Sequence, residues 1–272
     1  MLIYVFSDSA GETAIRVVDA VISQFQIEEP LIRRHPFVRD KTAIDQLFFA
    51  FQGEMEEHDN GVIVFTFVDS DMRDYTIEKG EELNIHTMDI LGSFMKQMSD
   101  ILRLNPIMKP GLNHQVDEAY YKRVAAMEFT IRCDDGNNLA ELNEADVVLV
   151  GISRTSKTPL CLYLAYQSIK AANIPIVPET PIPEALFKFP RFKVIGLTIQ
   201  PEVLQSIRLN RVRELGLDNL QQYCSMERII SELEYSRGIM KKLGCPVIDT
   251  SNKAMEETAG RIMQIMQRSV KR

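Results

Sequence analysis

The feature that most limits the folds open to this chain is an alternation. Short apolar runs rich in β-branched residues recur along it, with helically patterned segments between them. In the first half, LIYVF (2–6), PLIRRHPFV (30–38), GVIVFTFV (61–68) and a short piece at 84–88 read as strands. Helical spacing fills 12–25, then 41–52, then a segment carrying Met72, Ile77 and Leu83. In the second half, strands are expected at 145–151, 174–178, 193–199 and 245–251, with helices at 157–172, 206–215, 225–243 and 254–266. Strand–helix–strand alternation calls for crossover connections and mainly parallel sheets. Between the halves, NPIMKPGLNHQ (105–115) interrupts the pattern with two prolines and a glycine. A helix over 116–132 and a polar turn, CDDGNN (133–138), follow it. The expectation is two α/β domains, 1–140 and 141–272.

One strand ends in a loop with chemistry in it. ADVVLVG (145–151) runs into ISRTSKT (152–158) and then a helical pattern. A phosphate-binding loop needs backbone N–H groups turned into one concavity, a helix N-terminus behind them and a lysine to neutralise charge. The G-x-x-x-x-G-K-[ST] pattern supplies these between a strand and a helix. Gly151, Lys157 and Thr158 stand in its register, and Ser156 takes the place of the second glycine. That glycine gives backbone freedom, which serine lacks. The plainer reading is a strand-to-helix turn with Ser156 or Thr158 as a cap. On the chemical reading the second domain is P-loop-kinase-like. Lys157 bridges terminal phosphates, Thr158 holds Mg²⁺, and Arg154 adds a second cation. Pro159 suits a first helical turn.

Other candidates each have an ordinary alternative. SDSAGETA (7–14) follows the first strand, and Ser7, Ser9 and Thr13 could line a second anion site; equally, Ser9 and Glu12 could form a capping box. Asp134 and Asp135, before Gly136, could bind metal or accept a hydroxyl proton, or form a solvated turn. Asp249 stands where a Walker-B-like acid would, or caps the last helix. His114 is a proton shuttle, a phosphate contact or an exposed loop residue.

The net charge of −7 argues against a broad nucleic-acid surface. No run approaches eighteen apolar residues, so no membrane span is expected. The apolar start is short and lacks basic residues, unlike a signal peptide. Four dispersed cysteines (Cys133, Cys161, Cys224, Cys245) and four histidines suggest reduced thiols in the cytoplasm rather than a disulfide framework or a zinc site.

The motifs occur together in a recognisable order. SDSAGETA, KPG with His114, YYKRVAAMEF leading into DDG, GISRTSKTPL, IPIVPE, GLTIQPE with IRLNR, and IDTSNKAMEETA span nearly the whole chain. In this the chain resembles the pyruvate, phosphate dikinase regulatory proteins, a family shared with the phosphoenolpyruvate synthase regulatory proteins. The GISRTSKTPL block is its most specific part. The resemblance implies a bifunctional enzyme. As a kinase it would phosphorylate a threonine of the dikinase, with ADP as donor and AMP as product. As a phosphorylase it would remove that phosphate with inorganic phosphate, forming pyrophosphate. The family's ADP-binding loop falls on Gly151, Ile152, Ser153, Arg154, Thr155, Ser156, Lys157 and Thr158. Where the family pattern has His before Asp-Asp-Gly, this chain has Cys133, and Cys161 replaces a small serine.

Joined with the physical reading, this gives Lys157 and Arg154 as the groups that stabilise the transferring phosphoryl. Thr158 is the metal-orienting hydroxyl, and Asp135 or Asp249 the acceptor of the threonine proton. Mg²⁺, ADP and inorganic phosphate are the expected small-molecule partners, and the dikinase or the synthase the protein partner. A homodimer is compatible with the sequence, and neither nucleic acid nor a membrane is expected as a partner. Two rivals make distinct forecasts. A P-loop small-molecule kinase would turn over a free metabolite with ATP. A nucleotide-sensing module would bind nucleotide and transfer nothing.

Overall fold

A computed structural model describes residues 1–25, 27, 29–112, 117–215 and 222–270. The chain divides into two compact units, Met1–Gln115 and Val116–Arg272. The border thus precedes the helix of the middle region and the Asp-Asp-Gly turn. The expected boundary at 140 places both in the first domain; they belong to the second unit. His114 lies outside the described residues.

The first unit holds β1 (Leu2–Ser7), α1 (Glu12–Ile22), β2 (Leu31–His35), α2 (Lys41–Met55), β3 (Gly61–Thr66), α3 (Ser70–Glu82), β4 (Thr87–Asp89) and α4 (Gly92–Leu102). The four strands are parallel, in the order β2-β1-β3-β4. Every residue of β1 is buried, because successive side chains point to opposite faces and both faces are covered. Leu2, Tyr4 and Phe6 meet Phe48 and Phe51 of α2 and Met72 of α3. Ile3 and Val5 meet Ala14 and Val18 of α1. Helix α4, where no element is expected from the sequence, buries none of its residues.

The second unit repeats this plan. It contains α5 (Glu118–Arg132), β5 (Val147–Gly151), α6 (Lys157–Tyr166), β6 (Ala171–Pro175), α7 (Glu184–Lys188), β7 (Val194–Thr198), α8 (Pro201–Leu215), α9 (Met226–Leu243), β8 (Val247–Asp249) and α10 (Met255–Val270). Its parallel order is β6-β5-β7-β8, the counterpart of the first sheet. Val148 and Val150 pack against Phe129 of α5 and Met240 of α9. Val147 and Leu149 pack against Leu160 and Leu164 of α6 and Ile262 of α10. The two α/β units with all-parallel sheets are those the alternation called for.

Within each sheet the chain leaves its first strand to one side and returns past it to the other. Because crossovers between parallel strands are right-handed as a rule, the reversal sends α1 and α2 to opposite faces, as their core contacts show, and likewise α6 and α7 after β5 and β6. A crevice opens at the carboxyl ends of β1 and β5, where this fold places ligands.

Two boundaries differ from expectation. The helix expected over 157–172 stops at Tyr166, and the strand expected at 174–178 covers Ala171–Pro175 instead. Ser168 adopts a left-handed φ of 65° and breaks the helix. Ala171 and Ala172 then join the sheet, where their small side chains are wholly buried. Alanine's helix propensity yields here to tertiary packing.

The IRLNR segment, in α8, contributes an ion pair to the core. Arg208 is fully buried. It donates to Glu232 of α9 at 2.6 Å and to the Tyr223 carbonyl at 2.9 Å, and its guanidinium lies 4.2 Å from the centre of the Tyr223 ring. Arg228 holds the other Glu232 oxygen at 2.6 Å. Removing one member of such a pair leaves a buried charge uncompensated. Glu232→Ala is therefore expected to lower the unfolding free energy by about 3–5 kcal/mol. The double variant Arg208→Met/Glu232→Leu should recover most of that loss. Urea denaturation of the three proteins measures both.

Candidate functional site

Every residue of β5 is buried, and the strand ends at Gly151, against β7. A Cβ there would sit 2.7 Å from the Leu197 carbonyl oxygen, which belongs to backbone and cannot swing aside. The loop beyond it folds around one acceptor, the Ile152 carbonyl. The Thr155 hydroxyl, fully buried, donates to it at 2.9 Å, and Lys157 Nζ at 3.0 Å. Arg154 and Ser156 have φ values of 70° and 62°. The second glycine of the motif would carry such a conformation without strain; here a serine carries it, at roughly 1–2 kcal/mol. Ser156 stands at the N-cap of α6, yet no side chain caps that helix. Its first-turn N–H groups remain available to an anion. The cap read as the ordinary alternative for Ser156 or Thr158 is not formed.

The loop lines a cleft of about 640 Å³ with Ser153, Arg154, Ser156, Lys157, Thr158 and Asp135 among its walls. Lys157 is only 6% exposed. Burial pushes its pKa below the ordinary value, opposed chiefly by the nearby Asp135 carboxylate. The Asp-Asp-Gly turn divides its acids. Asp135, with φ 51° and ψ 36°, lines the cleft. Asp134 accepts from the Thr158 hydroxyl at 3.0 Å and from the Asn173 amide. A polar residue inside the apolar run AANIPIV is the one sequence signal for Asn173.

Asp249 is placed elsewhere. It ends β8, accepts from the Ser251 N–H at 2.8 Å and hydroxyl at 2.6 Å, and lines a different cavity with Lys253, Glu257 and Arg261. The Ser251 hydroxyl bond holds its carboxyl below the ordinary pKa. The structure therefore does not bring Asp249 to the Lys157 cleft. The reason is strand order: β8 is the edge strand beyond β7, and β6 with the Asp-Asp-Gly turn lies on the other side of β5. Cys133 is 2% exposed and packs into the core with Phe129 and Leu142. Its side chain is not part of the cleft wall. Cys161 is wholly buried beneath the loop, and burial drives its thiol pKa upward. The described residues contain no group of three or more His, Cys, Asp or Glu able to hold a metal.

In the first unit, Ser7, Asp8, Ser9, Gly11, Thr13 and Lys109 line a cavity of about 230 Å³ at the end of β1. The Ser9–Glu12 capping box is absent. Gly11 occupies the N-cap of α1 with φ 77°, and no side chain caps the helix. Ser9 N–H donates instead to the Ser7 hydroxyl at 3.2 Å. Asp8 accepts from Val68 N–H at 2.7 Å, and burial raises its pKa.

Comparison with known proteins bears on this site. A family model described as kinase/pyrophosphorylase matches residues 3–263. Relatives provisionally named pyruvate, phosphate dikinase regulatory proteins align over almost the full length. That of Alkaliphilus metalliredigens (strain QYMF) is 48% identical over 265 residues, covering 97% of this chain and 94% of the relative. That of Carboxydothermus hydrogenoformans is 44% identical over 271 residues, covering 100% and 96%. That of Halalkalibacterium halodurans is 44% identical over 267 residues, covering 98% and 97%.

Two substitutions test the loop geometry. Gly151→Ala should force β5 from β7 and destabilise the protein by about 1–3 kcal/mol. Ser156→Gly relieves the left-handed strain against glycine's greater unfolded freedom, so stability should hold or rise by up to about 1 kcal/mol. Thermal melts of both variants beside the unmodified chain report the two signs.

Proposed function

The chain belongs to the kinase/pyrophosphorylase family, and from that premise we propose that it is a bifunctional regulator of pyruvate, phosphate dikinase. It phosphorylates a dikinase threonine with ADP and reverses the modification with inorganic phosphate. The observation that carries this reading is the meeting of Lys157, Arg154, Thr158 and Asp135 in one cleft at an uncapped helix N-terminus. The relatives' names supply the protein target and favour the dikinase over the synthase.

In the kinase direction the threonine oxygen attacks the β-phosphorus of ADP. The bond from that phosphorus to the bridging oxygen breaks, AMP leaves, and Asp135 takes the threonine proton. In the reverse direction an oxygen of inorganic phosphate attacks the phosphothreonine phosphorus. Pyrophosphate forms, the bond from phosphorus to the threonine oxygen breaks, and Asp135 passes the proton of the attacking hydrogen phosphate to the departing threonine oxygen. The protein's work is positioning and charge neutralisation. The α6 N–H groups, Arg154 and Lys157 face the equatorial oxygens, and one loop serves the ADP β-phosphate and the incoming phosphate alike.

The donors present suit Mg²⁺ carried by the nucleotide's phosphates rather than a resident ion. The Thr158 hydroxyl gives its hydrogen to Asp134, which leaves its lone pairs free, and Asp134 and Asp135 are oxygen donors beside it. Bound there, the ion would neutralise phosphate charge.

β-labelled ADP with Mg²⁺ and purified dikinase tests the reading. Label on a dikinase threonine, with AMP in equal amount, is the expected result. Label from ATP on a small metabolite would replace it with a small-molecule kinase, and nucleotide binding without transfer would leave a sensor. Lys157→Met should abolish transfer in both directions.

The sign of the pH dependence also follows. Burial lowers the Lys157 pKa in the free protein, and bound phosphates raise it. Above that lowered free-state pKa, nucleotide binding takes up a proton, so affinity should fall as pH rises through it. Titration calorimetry in buffers of different ionisation enthalpy measures that uptake, and Lys157→Arg should eliminate it.

A further inference from the structure

We infer that Asn173 is the positioning residue of this cleft: its amide fixes the Asp-Asp-Gly turn so that Asp135 faces Lys157 and Arg154 while Asp134 is held inward by Thr158. The inference deepens, and rests on, the reading of the cleft as a phosphoryl-transfer site.

Asn173 lies in the middle of β6 beside Leu149 of β5 and is fully buried. A buried amide is costly unless its donor and acceptor both find partners. Here both do, and the nearest partner of each belongs to the turn. Asn173 Oδ1 accepts from the Asp135 N–H at 3.1 Å. Its Nδ2 donates to Asp134 Oδ1 and reaches the Thr158 hydroxyl at 3.5 Å. Its backbone N–H donates to the Cys133 carbonyl at 3.4 Å. Residues 133, 134 and 135 are thus each tied to position 173. Asp135 needs this, because a non-glycine residue at φ 51° persists only when its surroundings over-determine it.

The choice of asparagine follows from the partners. A backbone N–H can only donate and a carboxylate can only accept, so the group between them must offer one acceptor and one donor on a short stem. Aspartate there would set a second carboxylate against Asp134. Leucine would leave the Asp135 N–H and the Asp134 oxygen without their partner. Asn173 is absent from the cleft wall, so its effect on a reaction passes through the turn.

Two variants and two readouts test this. In Asn173→Ala, hydrogen exchange at the Asp135 amide should accelerate by about tenfold or more. Its kcat for transfer to the dikinase should fall by about 100-fold, with the KM for ADP little changed, because Lys157 and Thr155 keep their bonds to the Ile152 carbonyl. In Asn173→Asp, the added carboxylate should move the acid limb of the kcat–pH profile upward by about one unit or more. Unchanged exchange at Asp135, an unmoved acid limb, or equal losses of kcat, ADP affinity and melting temperature would each overturn the assignment. Should the unmodified chain transfer no phosphoryl group, the functional reading fails while exchange still decides the clamp: faster in Asn173→Ala sustains it, unchanged sinks it.

Discussion

A buried ammonium organises the second unit. Lys157 sits almost out of water at the head of α6, and an ion there is costly unless its surroundings replace the lost hydration. The Ile152 carbonyl does so directly, and Asp135 does so through its charge. Each compensation imposes a demand of its own. Presenting the Ile152 carbonyl requires a tight loop, with left-handed residues at 154 and 156. Bringing Asp135 close requires a left-handed turn after α5, tied down by Asn173 of the neighbouring strand. The site is a set of local strains held in place by a rigid parallel sheet.

The two units show what the fold supplies and what the side chains add. Both have the same strand order, a crevice at the end of the first strand, and a left-handed residue just before an uncapped helix. In the first unit that residue is Gly11, and an acid, Asp8, lies in the loop. In the second it is Ser156, followed at once by Lys157. The topology opens the crevice twice, and the lysine, the arginine and the Asp-Asp turn give one of the two its charge arrangement.

Much of this was legible in the sequence because it depends on local pattern. The alternation of strand and helix, the aliphatic run ending at Gly151 and the spacing to Lys157 and Thr158 follow from side-chain periodicity and loop chemistry, which act between neighbours along the chain. The missed boundaries came from competition with distant packing. Ala171 and Ala172 favour a helix in isolation and join a strand because the sheet needs small, buried residues there. Asp249 carried the right chemical type in a plausible place after a strand, yet strand order sets it at the far edge of the sheet.

By itself the sequence determined the class of fold, the spacing from Gly151 to Lys157 and Thr158, and the pool of charged groups from which a site could be built. Only the tertiary structure decided which of those groups meet. Asp135 and Lys157 are 22 residues apart along the chain, and no local rule relates them. They share a cleft because β5 and β6 are adjacent parallel strands whose carboxyl ends open on one side, and because a buried asparagine on the second strand turns the acid toward the lysine. Long-range pairing of this kind is fixed by burial and hydrogen-bond satisfaction across the whole unit, so which acid shares the cleft with Lys157 emerged only with the fold.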